Sequence, residues 1–121
     1  MSIEVLVVDD SNMVRTQVGR TLREAGYTVI EAVDGVDGLA KIHAHVPKLV
    51  VCDVNMPRMS GIELLENLQE GGKLPVHVVM LTTEGQPEMI IRARQLGAKG
   101  WIIKPFVPEM LLAAVRKVTA A

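Results

Sequence analysis

Residues 49–61 read LVVCDVNMPRMSG and decide the fold. The continuous apolar run at 49–52 is typical of a strand buried on both faces, as in parallel sheets. Asp53 follows this run directly, and after a turn Ser60 and Glu63 have the spacing of a capping box, which begins a helix. The stretch therefore predicts a strand, a turn and a helix, with a carboxylate at the carboxyl end of the strand.

The same alternation repeats along the whole chain. Apolar runs that favour strands fall at residues 3–8, 28–32, 49–52, 76–81 and 100–103, and a helical pattern follows each of them. Alternating strands and helices indicate parallel pairing with right-handed crossovers. The predicted fold class is α/β, a flavodoxin-like doubly wound parallel five-stranded sheet of order 2-1-3-4-5 with helices on both faces.

Length and composition bound the class of protein. A chain of 121 residues predicts a single domain, 1–121, and 2% aromatic residues within 49% hydrophobic residues predict an aliphatic core. The net charge of −1 gives no reason to expect nucleic acid as a partner. The single cysteine, Cys52, excludes an internal disulfide, and no apolar run approaches the roughly 20 residues of a membrane span. We expect a cytoplasmic monomer that does not bind membranes.

Polar side chains follow the predicted strands. Asp9 and Asp10 come after the first strand, Asp53 after the third, Thr82 after the fourth and Lys104 after the fifth. Functional groups of open parallel sheets lie at the carboxyl ends of the strands, and in the order 2-1-3-4-5 the first and third strands are neighbours. The three acids are therefore predicted to share one pocket.

Such a pocket favours phosphoryl chemistry. Three adjacent carboxylates repel one another, and a hard divalent cation, most naturally Mg²⁺, relieves the repulsion through oxygen ligands. Lys104 and Thr82 supply an ammonium and a hydroxyl that can hold phosphoryl oxygens. Asp53 follows the most apolar strand and lies centrally, so it is the candidate nucleophile.

Simpler interpretations exist for each of these residues taken alone. Asp9 and Asp10 could only cap the first helix, Lys104 could be a solvated strand end, and Thr82 could be a turn residue. The coincidence of all of them at one edge of the sheet favours the shared site.

Four separated motifs carry a resemblance to a known family. They are the pair Asp9-Asp10, the segment 53–61, the turn Leu81-Thr82-Thr83-Glu84, and residues 97–106, which read GAKGWIIKPF. Together they resemble the receiver domain of two-component response regulators, above all the single-domain chemotaxis regulators, over essentially the whole chain.

The resemblance implies a role for each residue of the acidic pocket. Asp53 is expected to be the phosphoacceptor. Mg²⁺ is expected to be held by Asp10, Asp53 and the main-chain carbonyl of Asn55, with Asp9 acting largely through water. Lys104 is expected to contact the phosphoryl group.

The resemblance also implies how the signal leaves the site. Thr82 is expected to be the switch hydroxyl, and Trp101 the aromatic residue that changes its packing with it. Asn55 and Glu84 are expected to influence the rate of phosphate loss. The bond before Pro105 is expected to be cis.

The implied function is that of a signalling protein rather than an enzyme. A sensor histidine kinase of the chemotaxis type is expected to phosphorylate the protein. The phosphorylated protein is then expected to bind a downstream protein, in chemotaxis the flagellar motor switch, through the fourth helix, fifth strand and fifth helix of this chain. A phosphatase is a further possible partner. The alternative is a phosphorelay shuttle that passes its phosphoryl group to a histidine phosphotransfer protein. A remote alternative is a Mg²⁺-dependent aspartyl-phosphate phosphatase of the haloacid dehalogenase type, which needs a second Asp where this chain has Asn55. A flavin carrier of the same fold is disfavoured further, because no Ser/Thr-rich phosphate loop follows the first strand.

Overall fold

The computed structural model describes residues 3–72 and 74–120, so residues 1, 2, 73 and 121 of the predicted domain lie outside the described residues. The strands are β1 (Glu4–Val8), β2 (Thr28–Ala32), β3 (Leu49–Cys52), β4 (His77–Thr82) and β5 (Gly100–Ile103). The helices are α1 (Asn12–Glu24), α2 (Gly35–His45), α3 (Gly61–Leu68), α4 (Pro87–Gln95) and α5 (Pro108–Thr119), and a 3-10 turn, Gln69–Gly71, follows α3. None of the helices in the described part of the chain has the length and apolar character that a bilayer crossing needs.

The five strands form one parallel sheet of order β2-β1-β3-β4-β5, which confirms the predicted fold class. The central strands are buried because both faces are covered. Leu22 of α1 and Leu111 of α5 pack on one face, and Ile42 of α2 and Leu65 of α3 pack on the other. Val8 of β1 is level with Cys52 of β3. The residues that follow these two strands therefore leave the sheet side by side.

Side chains at the helix starts satisfy the free backbone amides. The Ser11 hydroxyl accepts from the Val14 amide at the start of α1, and the Ser60 hydroxyl accepts from the Glu63 amide at the start of α3. The Glu63 carboxylate accepts in turn from the Ser60 amide, so the predicted capping box is confirmed. Because Ser11 caps α1, the interpretation of Asp9 and Asp10 as mere caps is wrong.

Three strand boundaries, in two strands, differ by one residue from the prediction. The first strand begins at Glu4, and the fourth runs from His77 to Thr82. Thr82 is therefore the last, fully buried residue of β4 rather than a turn residue. The pairing of β4 with β5 continues past Ile103, because the Thr82 carbonyl accepts from the Lys104 amide at 2.9 Å. A threonine can join a strand as readily as a turn, so the local pattern left this end ambiguous.

The backbone after Asp53 approaches α3 so closely that only glycine fits at position 61. A Cβ atom there would overlap the main-chain carbonyl oxygen of Asp53. We expect Gly61→Ala to lower the free energy of unfolding by about 1–3 kcal/mol, because main-chain atoms must shift to make room. Urea denaturation checks this, with Gly85→Ala as the control. The added methyl of the control would meet only the Ile103 Cδ1 atom at 3.5 Å, so equal losses in the two variants would contradict the close approach.

Candidate functional site

Three carboxylates meet at the carboxyl edge of the sheet. One oxygen from each of Asp9, Asp10 and Asp53 lies within 4.8 Å of the others. The Asp53 amide donates to the Val8 carbonyl at 2.9 Å, which continues the pairing of β3 with β1 and holds the two acid-bearing ends together. Asp9 and Asp53 are buried, whereas Asp10 is exposed. The structure thus brings together the three acids that the sequence predicted to share a pocket.

Lys104 bridges the two buried acids. Its Nζ atom lies 2.8 Å from Asp9 Oδ2 and 3.2 Å from Asp53 Oδ2. Burial opposes the charge on Lys104, but the hydrogen bond to Asp9 and the charges of both acids outweigh it and raise its pKa. The interpretation of Lys104 as a solvated strand end is therefore wrong. The peptide bond between Lys104 and Pro105 is cis, as the resemblance implies.

Main-chain amides hold the second oxygen of each buried acid. The Ser11 amide donates to Asp9 Oδ1 at 2.9 Å, and the Val54 amide donates to Asp53 Oδ1 at 2.7 Å. Each of these carboxylates is thus fixed between a backbone donor and the Lys104 ammonium. A carboxylate held in this way loses little further freedom when it reacts or binds a ligand.

The donor set fits a hard divalent cation. Mg²⁺ binds oxygen ligands at about 2.0–2.1 Å in octahedral geometry, which places adjacent ligand oxygens roughly 3 Å apart and opposite ones roughly 4 Å apart. The oxygens of Asp9, Asp10 and Asp53 already lie within 4.8 Å of one another. Asn55 lies two residues after Asp53, in the turn that follows β3. The cluster is therefore compatible with an all-oxygen cation site.

The acidic cluster makes the fold sensitive to pH. Burial raises the pKa of the Asp9 carboxyl above its usual range, and the hydrogen bonds from Lys104 and Ser11 reverse this only in part. Because the pKa is higher in the folded than in the unfolded state, the stability that Asp9 contributes is complete below its unfolded pKa and is lost as the pH rises through the folded pKa.

Asp9→Asn should therefore stabilise the metal-free protein at neutral pH. The gain should disappear as the pH falls below the ordinary pKa of an aspartate, because the wild-type carboxyl is then protonated in both the folded and the unfolded state. Urea denaturation of both proteins in the presence of a chelator checks this expectation. A variant that is less stable than the wild type at neutral pH would contradict it.

Glu84 connects the predicted switch residues. Its amide donates to Thr82 Oγ1 at 3.2 Å, and its carboxylate accepts from Asn55 Nδ2 at 2.6 Å. Its main-chain carbonyl accepts from Trp101 Nε1 at 2.8 Å. Trp101 is half-buried and packs against the core. The turn after β4 is therefore in contact both with the loop that follows Asp53 and with β5.

Arg15 is a residue of the site that was not predicted from the sequence. Arg15 is 8% exposed, and its Nη1 atom donates to the Asp9 carbonyl at 2.5 Å. It precedes Val18 and Leu22, which are buried on α1, by three and seven residues. A charged residue in line with an apolar stripe was the signal that could have identified it.

A second missed contact joins the loop after Asp53 to the start of α2. Arg58 forms an ion pair with Asp34, whose side chain also accepts from the Asp37 amide at 2.8 Å. This amide contact, followed by the Arg58 hydrogen bond, lowers the pKa of Asp34. The two partners are 24 residues apart, and no local pattern relates them.

Known proteins match this chain closely. A family model described as the response regulator receiver domain matches residues 5–116. Chemotaxis protein CheY of Treponema pallidum is 43% identical over 117 residues, which are 94% of this chain and 81% of that protein. Chemotaxis protein CheY1 of Helicobacter pylori is 36% identical over 112 residues, 90% of each chain. The crystal structure of chemotaxis protein CheY4 of Vibrio cholerae superposes with a TM-score of 0.89 at 39% identity, covering 98% of this chain and 99% of the other.

Proposed function

Because the chain belongs to the response regulator receiver domain family, we propose that it is a stand-alone regulator phosphorylated on Asp53 in a Mg²⁺-dependent reaction. It acts as a single-domain, monomeric, cytoplasmic protein. The observation that carries the proposal is the convergence of Asp9, Asp10 and Asp53 around the Lys104 ammonium. Receiver domains are signalling proteins, so phosphorylation changes the binding surface of the protein itself rather than converting a separate substrate.

Asp53 acts as the nucleophile. Its carboxylate attacks the phosphorus of a phosphohistidine on a sensor histidine kinase of the CheA type. The new O–P bond makes an acyl phosphate, while the N–P bond breaks and leaves its electron pair on the histidine nitrogen. The Val54 amide, bonded to Asp53 Oδ1, keeps the carboxylate oriented during the attack.

Charge neutralisation is divided between the protein and the metal. Asp10, Asp53 and the Asn55 carbonyl would hold Mg²⁺, and Asp9 would act largely through water. The bound ion supplies positive charge to the phosphoryl oxygens. Lys104 already lies 3.2 Å from Asp53 Oδ2, and its ammonium can bind another phosphoryl oxygen.

Phosphorylation is transmitted through the turn after β4. The phosphoryl group adds charge and acceptor oxygens next to Thr82. When the Thr82 hydroxyl turns to donate to one of them, it gives up its bond with the Glu84 amide. Glu84 also holds Asn55 and the Trp101 indole, so this exchange biases the packing of Trp101.

The output face combines α4, β5 and α5. Ile91, Ile103, Val107 and Met110 are exposed there, although each carries a large apolar side chain. Exposed large apolar side chains on one set of elements are typical of protein-binding surfaces. The similarity to chemotaxis proteins supports the flagellar motor switch as the partner, and a phosphatase as a further one.

A binding experiment tests this output. Protein phosphorylated with acetyl phosphate and Mg²⁺ should bind the motor switch protein of its own organism more tightly than unmodified protein. Met110→Glu should weaken that binding, while Val36→Glu, which changes an exposed apolar group on α2, should not. Transfer of the phosphoryl group to a histidine phosphotransfer protein, without binding to the motor switch protein, would instead support the phosphorelay alternative.

A further inference from the structure

Arg15 is a buried cation that contacts the main chain of the acidic cluster rather than its carboxylates. Its Nη1 atom donates to the main-chain carbonyl of Asp9 at 2.5 Å, and its Nη2 atom donates to Asn12 Oδ1 at 3.0 Å. The carboxylates of Asp9 and Asp53 are bonded instead by Lys104 and by backbone amides. Arg15 therefore leaves the metal-binding oxygens free.

The neighbouring strand fixes the arginine from its far side. Arg15 Nε lies 3.4 Å from Glu31 Oε1 of β2. Main-chain hydrogen bonds hold Glu31 in register with Val7 of β1, and the Lys41 ammonium donates to the Glu31 carbonyl at 2.6 Å. The guanidinium is thus clamped between β2 and the turn that follows β1. A planar group with several donors suits such a position better than an ammonium does.

We propose that Arg15, fixed by Glu31, is a positioning residue that holds the Asp9-Asp10 turn in the geometry required for Mg²⁺ binding. This inference rests on the proposed function. Asp10 is exposed, so its direction depends on the peptide before it, and Arg15 holds the carbonyl of that peptide. Groups that orient metal ligands in this way typically change metal affinity by about 10–100-fold when they are lost.

The sign of the effect separates positioning from simple charge. A positive charge near a cation site repels the cation, so a purely electrostatic role predicts tighter Mg²⁺ binding when Arg15 is replaced by a neutral residue. A positioning role predicts weaker binding, because the turn loses its support. Arg15→Lys keeps the charge but lacks the donor geometry, so electrostatics predicts no change and positioning again predicts weaker binding.

Calorimetric titration with Mg²⁺ at fixed pH and ionic strength makes the measurement. We expect the dissociation constant to rise about tenfold in Arg15→Met and by several-fold in Arg15→Lys. Arg23→Met removes the other arginine that contacts Glu31, at 3.3 Å, and should leave the dissociation constant unchanged. Asp10→Asn should greatly weaken binding, which assigns the measured ion to the acidic cluster.

An unchanged or lower dissociation constant in Arg15→Lys or Arg15→Met would overturn the inference while leaving the proposed function intact. If Arg15→Met does not fold, Arg15→Lys decides alone. Wild-type protein that binds no Mg²⁺, or whose binding is indifferent to Asp10→Asn, would contradict the proposed function itself, and this inference with it.

Discussion

Replacement of Asp53 by Asn is expected to abolish phosphate incorporation from acetyl phosphate in the presence of Mg²⁺, with a loss of at least about a hundredfold. The amide keeps the size of the carboxylate and can still accept the hydrogen bond from the Val54 amide. It lacks the negative charge and the nucleophilic oxygen that attack phosphorus. Incorporation is measured by phosphate-affinity electrophoresis or intact mass.

Asp37→Asn is the matched control for this experiment. Asp37 lies in the first turn of α2, where its carboxylate accepts from the Val33 amide at 3.0 Å and pairs with Lys41 at 3.2 Å. It belongs to another ion pair and is no part of the acidic cluster, so the control should be phosphorylated like the wild type. Comparable losses in both variants would point to a general effect of charge rather than to an acceptor at Asp53.

Lys104→Met is expected to change stability and metal binding in opposite directions. Without Mg²⁺, Asp9 and Asp53 lose the ammonium that bridges them, and we expect the free energy of unfolding to fall by about 2–3 kcal/mol at neutral pH. Mg²⁺ should bind roughly tenfold more tightly, because a positive charge has left its site. Saturating Mg²⁺ should then restore most of the lost stability.

Lys99→Met controls for the removal of one lysine, since Lys99 is exposed and precedes the opposite end of β5. Chemical denaturation with and without Mg²⁺, followed by Mg²⁺ titration, measures both effects. The result can be compared with that for Arg15. Loss of Lys104, which bonds the carboxylates, should tighten Mg²⁺ binding, whereas loss of Arg15, which bonds the main chain, should weaken it. Weaker Mg²⁺ binding by Lys104→Met would contradict the role assigned to its ammonium.

Local patterns predicted the order of elements and the edge at which the polar residues meet. The apolar runs around Val7 and Val51 favour buried strands, and the Ser60 and Glu63 spacing predicts the start of α3. Once the strand order is given, Asp9 and Asp53 must leave neighbouring strands together. This is why the pocket of acids could be predicted before its geometry was known.

The bonding partners of the supporting residues could not be predicted, because they depend on how loops and faces meet in three dimensions. Arg15 lies in the first turn of α1, and its side chain reaches back to the Asp9 carbonyl, a contact that residue spacing alone does not specify. Glu84 joins Asn55 and Trp101 because its side chain accepts from Asn55 and its main-chain carbonyl accepts from Trp101. Such contacts follow from backbone paths rather than from residue spacing.

The most direct test of the central claim is the identity of the residue that accepts the phosphoryl group. Wild-type protein is treated with acetyl phosphate with and without Mg²⁺, the acyl phosphate is trapped by borohydride reduction, and the peptides are mapped by mass spectrometry. The proposed function predicts a reduced aspartate at position 53, formed only when Mg²⁺ is present. Modification at another residue, or equal modification without Mg²⁺, would contradict it.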